Sequence, residues 1–248
     1  MTPTDEPDRI PLNLDRIANL SNFIRTAEKL ADDYTQGDPT WSGLPGSKAT
    51  AEAGDPTAWP ALLHELNGAY AFAQVRLLAV LEYAESISIL CSGTGGPSGS
   101  LAIDVLTRSA VETASRARWV LEDGLTTEQR TSRYLAIEVH SAHHLDRVAQ
   151  AMKLVPRDPS TAPTQMTAVK ARCSNAGLRV TMENSERPRV GAERLSTATD
   201  LVLALVEDTP FAHEGKSVYG LGSGVAHGAS FALLGTAEGS VSTRLVRV

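Results

Sequence analysis

The sequence predicts an all-α fold, a bundle of about six or seven helices with long antiparallel members. Three observations carry this expectation. Aliphatic residues recur three and four positions apart over roughly twenty to thirty residues at a time. Segments rich in Gly, Pro, Ser and Thr separate these stretches, and there is no strand–helix alternation of the kind a parallel sheet requires. Aromatics make up only 5% of the 248 residues. The abundance of Ala and Leu favours helices packed through small and aliphatic side chains.

Taken in order, residues 1–13 are polar and acidic and read as a flexible arm. A helix is expected from Asp15 to Tyr34, with Ile17, Leu20, Ile24, Ala27 and Leu30 on one stripe. Residues 36–60 are rich in Gly, Pro, Ser, Thr and Asp and read as a long loop, with Trp41 and Trp59 as its docking points. The spacing of Leu62, Leu66, Ala69, Ala73, Leu77, Val80, Ala84 and Ile87 predicts a long helix over Trp59–Leu90, stopped by the Gly-rich run at 92–100. Ile103, Leu106, Ala110, Ala114, Ala117 and Leu121 predict the next helix, Leu101–Glu122, with a turn at Asp123-Gly124. Thr126 and Thr127 can cap a helix reaching Leu154, with Glu128 in its first turn. After the loop marked by Pro156, Pro159 and Pro163 come a short helix over Thr164–Ala176, a polar stretch containing Pro188, and helices over Ala192–Glu207 and Lys216–Leu234. Residues 236–248 form a C-terminal tail, in which Ser240–Val248 has β-type composition, though one lone strand has little to pair with. Residues 14–235 are thus expected to form a single bundle domain.

The formal net charge is −6, with no Lys/Arg run. That argues against strong sequence-independent nucleic-acid binding, which needs clustered cations to neutralise phosphates. Cys91 and Cys173 have no neighbours at zinc-ligand spacing and read as buried free thiols in a reducing compartment. The N-terminus lacks the basic start and apolar core of a secretory signal, and no apolar run approaches the ~20 residues that span a bilayer. A cytoplasmic protein with no membrane partner is expected.

Three polar constellations stand out. In the last helix, Gly220, Gly224 and Gly228 share a face, and Tyr219, Ser223 and His227 form a row beside it. Each Gly costs about 1 kcal/mol against Ala, so close approach by another helix or a ligand should offset the loss. The row can bind a polar ligand or relay a proton, or simply hydrogen-bond within the bundle. A phosphate loop is not implied, because no strand precedes these glycines and no Lys-Ser/Thr follows them. The second constellation, Asp104, Arg108, Glu112 and Arg116, steps by four residues along one helix. It is either a solvated ion-pair ladder or, if covered on both sides, a buried ionic site. The third is His140, His143 and His144 with Arg133 and Arg147. His140 and His144 have the spacing of a zinc pair, but the accompanying Glu pattern is missing and no metal is expected. Arg133-x6-His140 either places a phosphate-binding group and a proton-transfer group on one face, the chemistry that metal-free RNA cleavage needs, or is simply part of a solvated polar face.

Three blocks taken together, Arg108-x3-Glu112-x3-Arg116-x2-Trp119, Arg133, and Tyr219-x3-Ser223-x3-His227-Gly228, resemble a group of uncharacterised all-helical proteins from actinobacteria. More remotely, they are similar to the HEPN-like helical proteins of prokaryotic defence and toxin systems. The resemblance runs over residues 60–235 in outline. It implies a helical bundle, homodimerisation and an Arg-x4–6-His ribonuclease motif, for which Arg133 and His140 are the matching residues. Three functions are therefore carried forward. The first is RNA cleavage, with Arg133 on phosphate and His140 or His227 as acid/base. The second is a small-molecule enzyme or ligand-binding bundle whose pocket is lined by Arg108, Glu112, Tyr219, Ser223 and His227 and covered by the 36–60 loop. The third is a non-catalytic interaction protein that dimerises through its Gly face. Candidate catalytic residues are His227, His140, Arg133 and Glu112. Candidate ligand-binding residues are Arg108, Arg116, Tyr219 and Ser223. The expected partners are a second copy of the chain and either RNA or a small molecule, and no motif implies a cofactor.

Overall fold

Four helices form where the apolar spacing places them. The computed structural model describes residues 48–54, 59–92, 98–151, 165–183, 187–207 and 219–220. In chain order its elements are α1 (Lys48–Ala53), α2 (Pro60–Ser92), α3 (Ser98–Leu121), α4 (Thr127–Ala151), α5 (Gln165–Asn175), β1 (Val180–Glu183), β2 (Arg187–Val190), β3 (Glu193–Arg194) and α6 (Ala198–Glu207). The described part is predominantly α-helical. The expected helices at 15–34 and 216–234 and the tail lie outside the described residues, except Tyr219 and Gly220, which are helical.

Two elements differ from expectation. The stretch read as a loop contains the short helix α1, in which the Ala-rich run from Lys48 to Ala53 has good helix formers. The helix expected from Ala192 begins only at Ala198, because the residues before it complete a small antiparallel sheet in the order β1-β2-β3. Val180 pairs with Val190 and Glu183 with Arg187, while Val190 also pairs with Glu193. Gly191 makes the tight turn between β2 and β3. Its φ of +57° suits glycine, and a Cβ there would lie 3.0 Å from the Ser132 hydroxyl.

Helix ends follow their sequence signals. The Thr126 hydroxyl accepts the Gln129 amide at 3.2 Å while the Gln129 side chain accepts the Thr126 amide at 3.0 Å. That reciprocal box starts α4. Thr197 and Asp200 repeat it at the start of α6. Helix α5 stops in a Schellman motif: Leu178 donates to the Cys173 carbonyl at 2.8 Å, Gly177 donates to Ser174, and Gly177 has φ +73°.

By its internal contacts the chain divides into two units. One is drawn from Met1–Tyr34, Leu78–Thr113 and Val206–Val248, the other from Thr35–Leu77 and Ala114–Leu205. In the second unit, α4 is the central helix. Residues 130–132 and 134–137 of α4 are all buried, which covers every direction around the axis. Leu66, Ala69, Tyr70 and Ala73 of α2 form a buried stripe, and Val169 and Cys173 of α5, Leu178 and Val190 also belong to the core. A Cβ at Gly68 would meet the Tyr134 ring and hydroxyl at 3.0–3.3 Å, so this glycine makes room for Tyr134 against α2.

Ionic staples fasten these elements. Arg130 is only 1% exposed. It donates to the Val120 carbonyl at 2.7 Å and to Glu52 of α1 at 3.1 Å, and its guanidinium lies 5.4 Å from the Tyr70 ring centre. The Tyr70 hydroxyl donates to the same Glu52 at 2.8 Å. Burial, then the bond to Glu52, pushes the Tyr70 phenol well above its ordinary range. Arg172 of α5 makes a two-pronged bond to the buried Glu65 at 3.1 and 2.6 Å and reaches the Tyr134 hydroxyl at 2.9 Å.

Removing one partner from a buried ion pair strands the other. Arg130→Ala should therefore lower unfolding free energy by about 3–5 kcal/mol in urea titrations. A loss below about 1 kcal/mol would show that Glu52 and the Val120 carbonyl are satisfied without it.

Candidate functional site

His140 opens onto a cavity in the second unit. The cavity has a volume of about 420 Å³ and is lined from five directions. Helix α4 contributes Ile137, His140 and Ser141, α2 contributes Arg76, and α3 contributes Arg116. Arg187 comes from β2, and Leu195, Ser196, Thr197, Ala198 and Leu201 come from the chain entering α6 and its first turn. The lining thus holds three guanidinium groups, one imidazole and three hydroxyls, and among the described residues no Asp or Glu lines it. Ile137, Leu195, Ala198 and Leu201 supply an apolar wall. Guanidiniums from three elements therefore border one partly enclosed space.

Of the expected site residues, Arg116 and His140 line this cavity. Arg133 does not. Its Nε donates to Glu193 of β3 at 2.8 Å, one Nη donates to the Trp119 carbonyl at 2.9 Å, and the same Nη meets Glu122. Its guanidinium also lies 5.2 Å from the Trp119 ring centre. Seated between two carboxylates, with its side chain 13% exposed, Arg133 fastens the end of α3 and the strand β3 to α4. Arg76, Arg187, Ser196 and Thr197 were not foreseen from sequence. Arg187 belongs to a strand whose presence Pro188 disguises, and Arg76 carries no spacing signal beyond its position four residues after Phe72, over whose ring it lies at 4.9 Å.

A second cluster forms in the first unit. Arg108 Nε donates to Glu112 Oε1 at 2.7 Å, and the Tyr219 hydroxyl donates to that same oxygen at 2.9 Å. Arg108 and Tyr219 therefore meet at one oxygen of Glu112. Ser223 and His227 lie outside the described residues. The bond to Glu112 holds the Arg108 guanidinium more firmly protonated still. Asp104, one turn before Arg108, is 2% exposed and its Oδ2 makes no hydrogen bond. Burial raises its carboxyl above the ordinary carboxylate value. The row from Asp104 to Glu112 is thus no solvated ladder.

The remaining candidates are dispersed. His144 and Arg147 border a shallow surface depression with Val148 near the end of α4. Among the described residues, no three His, Cys, Asp or Glu side chains group closely enough to hold a metal ion. Both cysteines are free, and burial pushes the Cys173 thiol up to about 11. No described helix is long and apolar enough to cross a membrane.

No protein-family model, curated protein or solved structure matches the chain. The site is therefore judged on its own chemistry.

The buried carboxyl of Asp104 gives a signed expectation. Its folded-state proton is held more tightly than in the unfolded chain. Stability from this group is present at low pH and falls as pH rises from about 3.8 through the raised folded value. Asp104→Asn should match the wild type near pH 3.5 and exceed it by about 1 kcal/mol at pH 8 in chemical denaturation. Equal stability profiles at both pH values would mean that the carboxyl is not strained by burial.

Proposed function

We propose that this chain is a helical ligand-binding protein that takes a small anionic molecule into the cavity beside His140. The observation that carries this is the lining itself: Arg76, Arg116 and Arg187 converge from three elements, with His140 and three hydroxyls among them and an apolar wall behind. The volume of about 420 Å³ falls within the range of small-molecule sites. Convergent donors over an apolar wall are what fixes the orientation of a small ligand.

RNA cleavage by Arg133 and His140 is favoured less by this geometry. A phosphate approaching Arg133 would meet Glu193 and Glu122, and bringing it near would cost like-charge repulsion and the loss of an existing charge-assisted bond. The net charge of −6 also gives no long-range attraction for a polyanion. A dimer made through the Gly face rests on residues of the last helix, where only Gly220 of the three glycines is described.

Thermal unfolding tests the proposal. Sulfate, citrate or an organic phosphate at a hundredfold excess over Kd should raise Tm by roughly 5–10 °C. The Arg116→Gln/Arg187→Gln double variant should lose that rise. Arg133→Ala should lower Tm itself yet keep the increment on adding the anion. An increment that survives the double variant, or is equally large with neutral compounds of the same size, would place the ligand elsewhere.

A further inference from the structure

We propose that Arg130 and Tyr70 form a binding site for a small carboxylic acid, and that α1 blocks it by seating its own carboxylate there. The proposal stands apart from the cavity beside His140, whose lining includes neither residue. The seat is assembled without α1. Arg130 belongs to α4 and Tyr70 to α2, and the Val120 and Glu122 carbonyls at the end of α3 hold the guanidinium in place. The Arg130 Nε and one Nη then present a fork. The two oxygens of Glu52 meet that fork at 3.1 and 3.4 Å, and the Tyr70 hydroxyl donates to one of them at 2.8 Å. Three donors hold this carboxylate, and none of them comes from α1.

The charge points to the same class of ligand. Arg130 is 1% exposed, and the carboxylate it pairs with is Glu52. One buried guanidinium calls for one negative charge, and a carboxylate brings it on two oxygens that match the fork. Phosphate and sulfate bring further oxygens that these three donors do not satisfy.

The group that fills the seat is carried by a slight element. Helix α1 is six residues long, and none of them is buried. Six residues are too few to hold a helix in water by themselves. A segment docked by apolar burial does not yield to a competing ion, whereas one docked through a carboxylate yields to another carboxylate on the same donors. Glu52 enters the seat from α1, so lifting α1 opens that path to a slim acid.

Formate is the probe, and the Arg116→Gln/Arg187→Gln background takes the cavity beside His140 out of the comparison. In that background, Glu52→Ala should lower Tm by roughly 5–10 °C. Formate should restore at least about half of the loss, and sulfate or chloride at equal ionic strength should not. By calorimetry, formate should bind Glu52→Ala at least about tenfold more tightly than the chain that keeps Glu52, because a tethered carboxylate competes at high effective concentration. Adding Tyr70→Phe should weaken formate about three- to tenfold. If Glu52→Ala does not fold alone, formate must recover its circular dichroism. Failure of formate to restore the variant, or equal restoration by sulfate, overturns the carboxylate site. Equal formate affinity with and without Glu52 overturns the blocking by α1, and affinity unchanged by Tyr70→Phe places formate elsewhere and overturns both.

Discussion

A guanidinium that leaves water needs a counter-charge and acceptors for its donors, and Arg130 finds both on separate elements. Its carboxylate comes from Glu52 of α1, its carbonyl acceptors from Val120 and Glu122 at the end of α3, and its stacking surface from Tyr70 of α2. Because Arg130 closes the first turn of α4, this one group fixes how four helices of the second unit meet. The alternative for each partner is unfavourable. Without Arg130, Glu52 would keep the Tyr70 hydroxyl but lose its buried counter-charge, and the carbonyls at the end of α3 would lose a donor. Arg133 repeats the device one turn later, on the Trp119 carbonyl and Glu193, and so brings β3 to the same helix.

The cavity follows from that placement. Once the first two turns of α4 are committed to staples, its next two turns carry Ile137, His140 and Ser141 to the cavity wall. The described arginines fall in different places. Arg130, Arg133 and Arg172 each have carboxylate partners from other elements. Arg76, Arg116 and Arg187 line the cavity. Both sets look alike in the sequence, where an arginine carries no mark of where it will sit.

What was legible follows a physical division. Helical periodicity and local capping are encoded within a few residues, so α2 to α5 and the Thr126 cap could be read directly. The sheet could not. Its strands are two to four residues long, Pro188 sits in the middle strand where a proline is unusual, and its register depends on burial against α4. The start of α6 was misplaced for the same reason, since residues 193–194 pair with β2 instead of continuing the helix. The burial of Asp104 was not legible, because periodicity does not count the neighbours of a helix. The cavity was the least visible feature, as its lining comes from segments more than a hundred residues apart.

The enclosure of α4 also sets an order in time. Its backbone amides lie inside side chains that are buried in every direction from Arg130 to Ile137, whereas α1 is six residues long and buries none of them. Local fluctuations can fray the ends of α1 while Glu52 keeps its bond to Arg130, but they cannot expose that part of α4 unless its neighbours separate first. In deuterated water, the amides of α4 between Arg130 and Ile137 then exchange only through the largest openings of the second unit, and those of α1 through its own fraying.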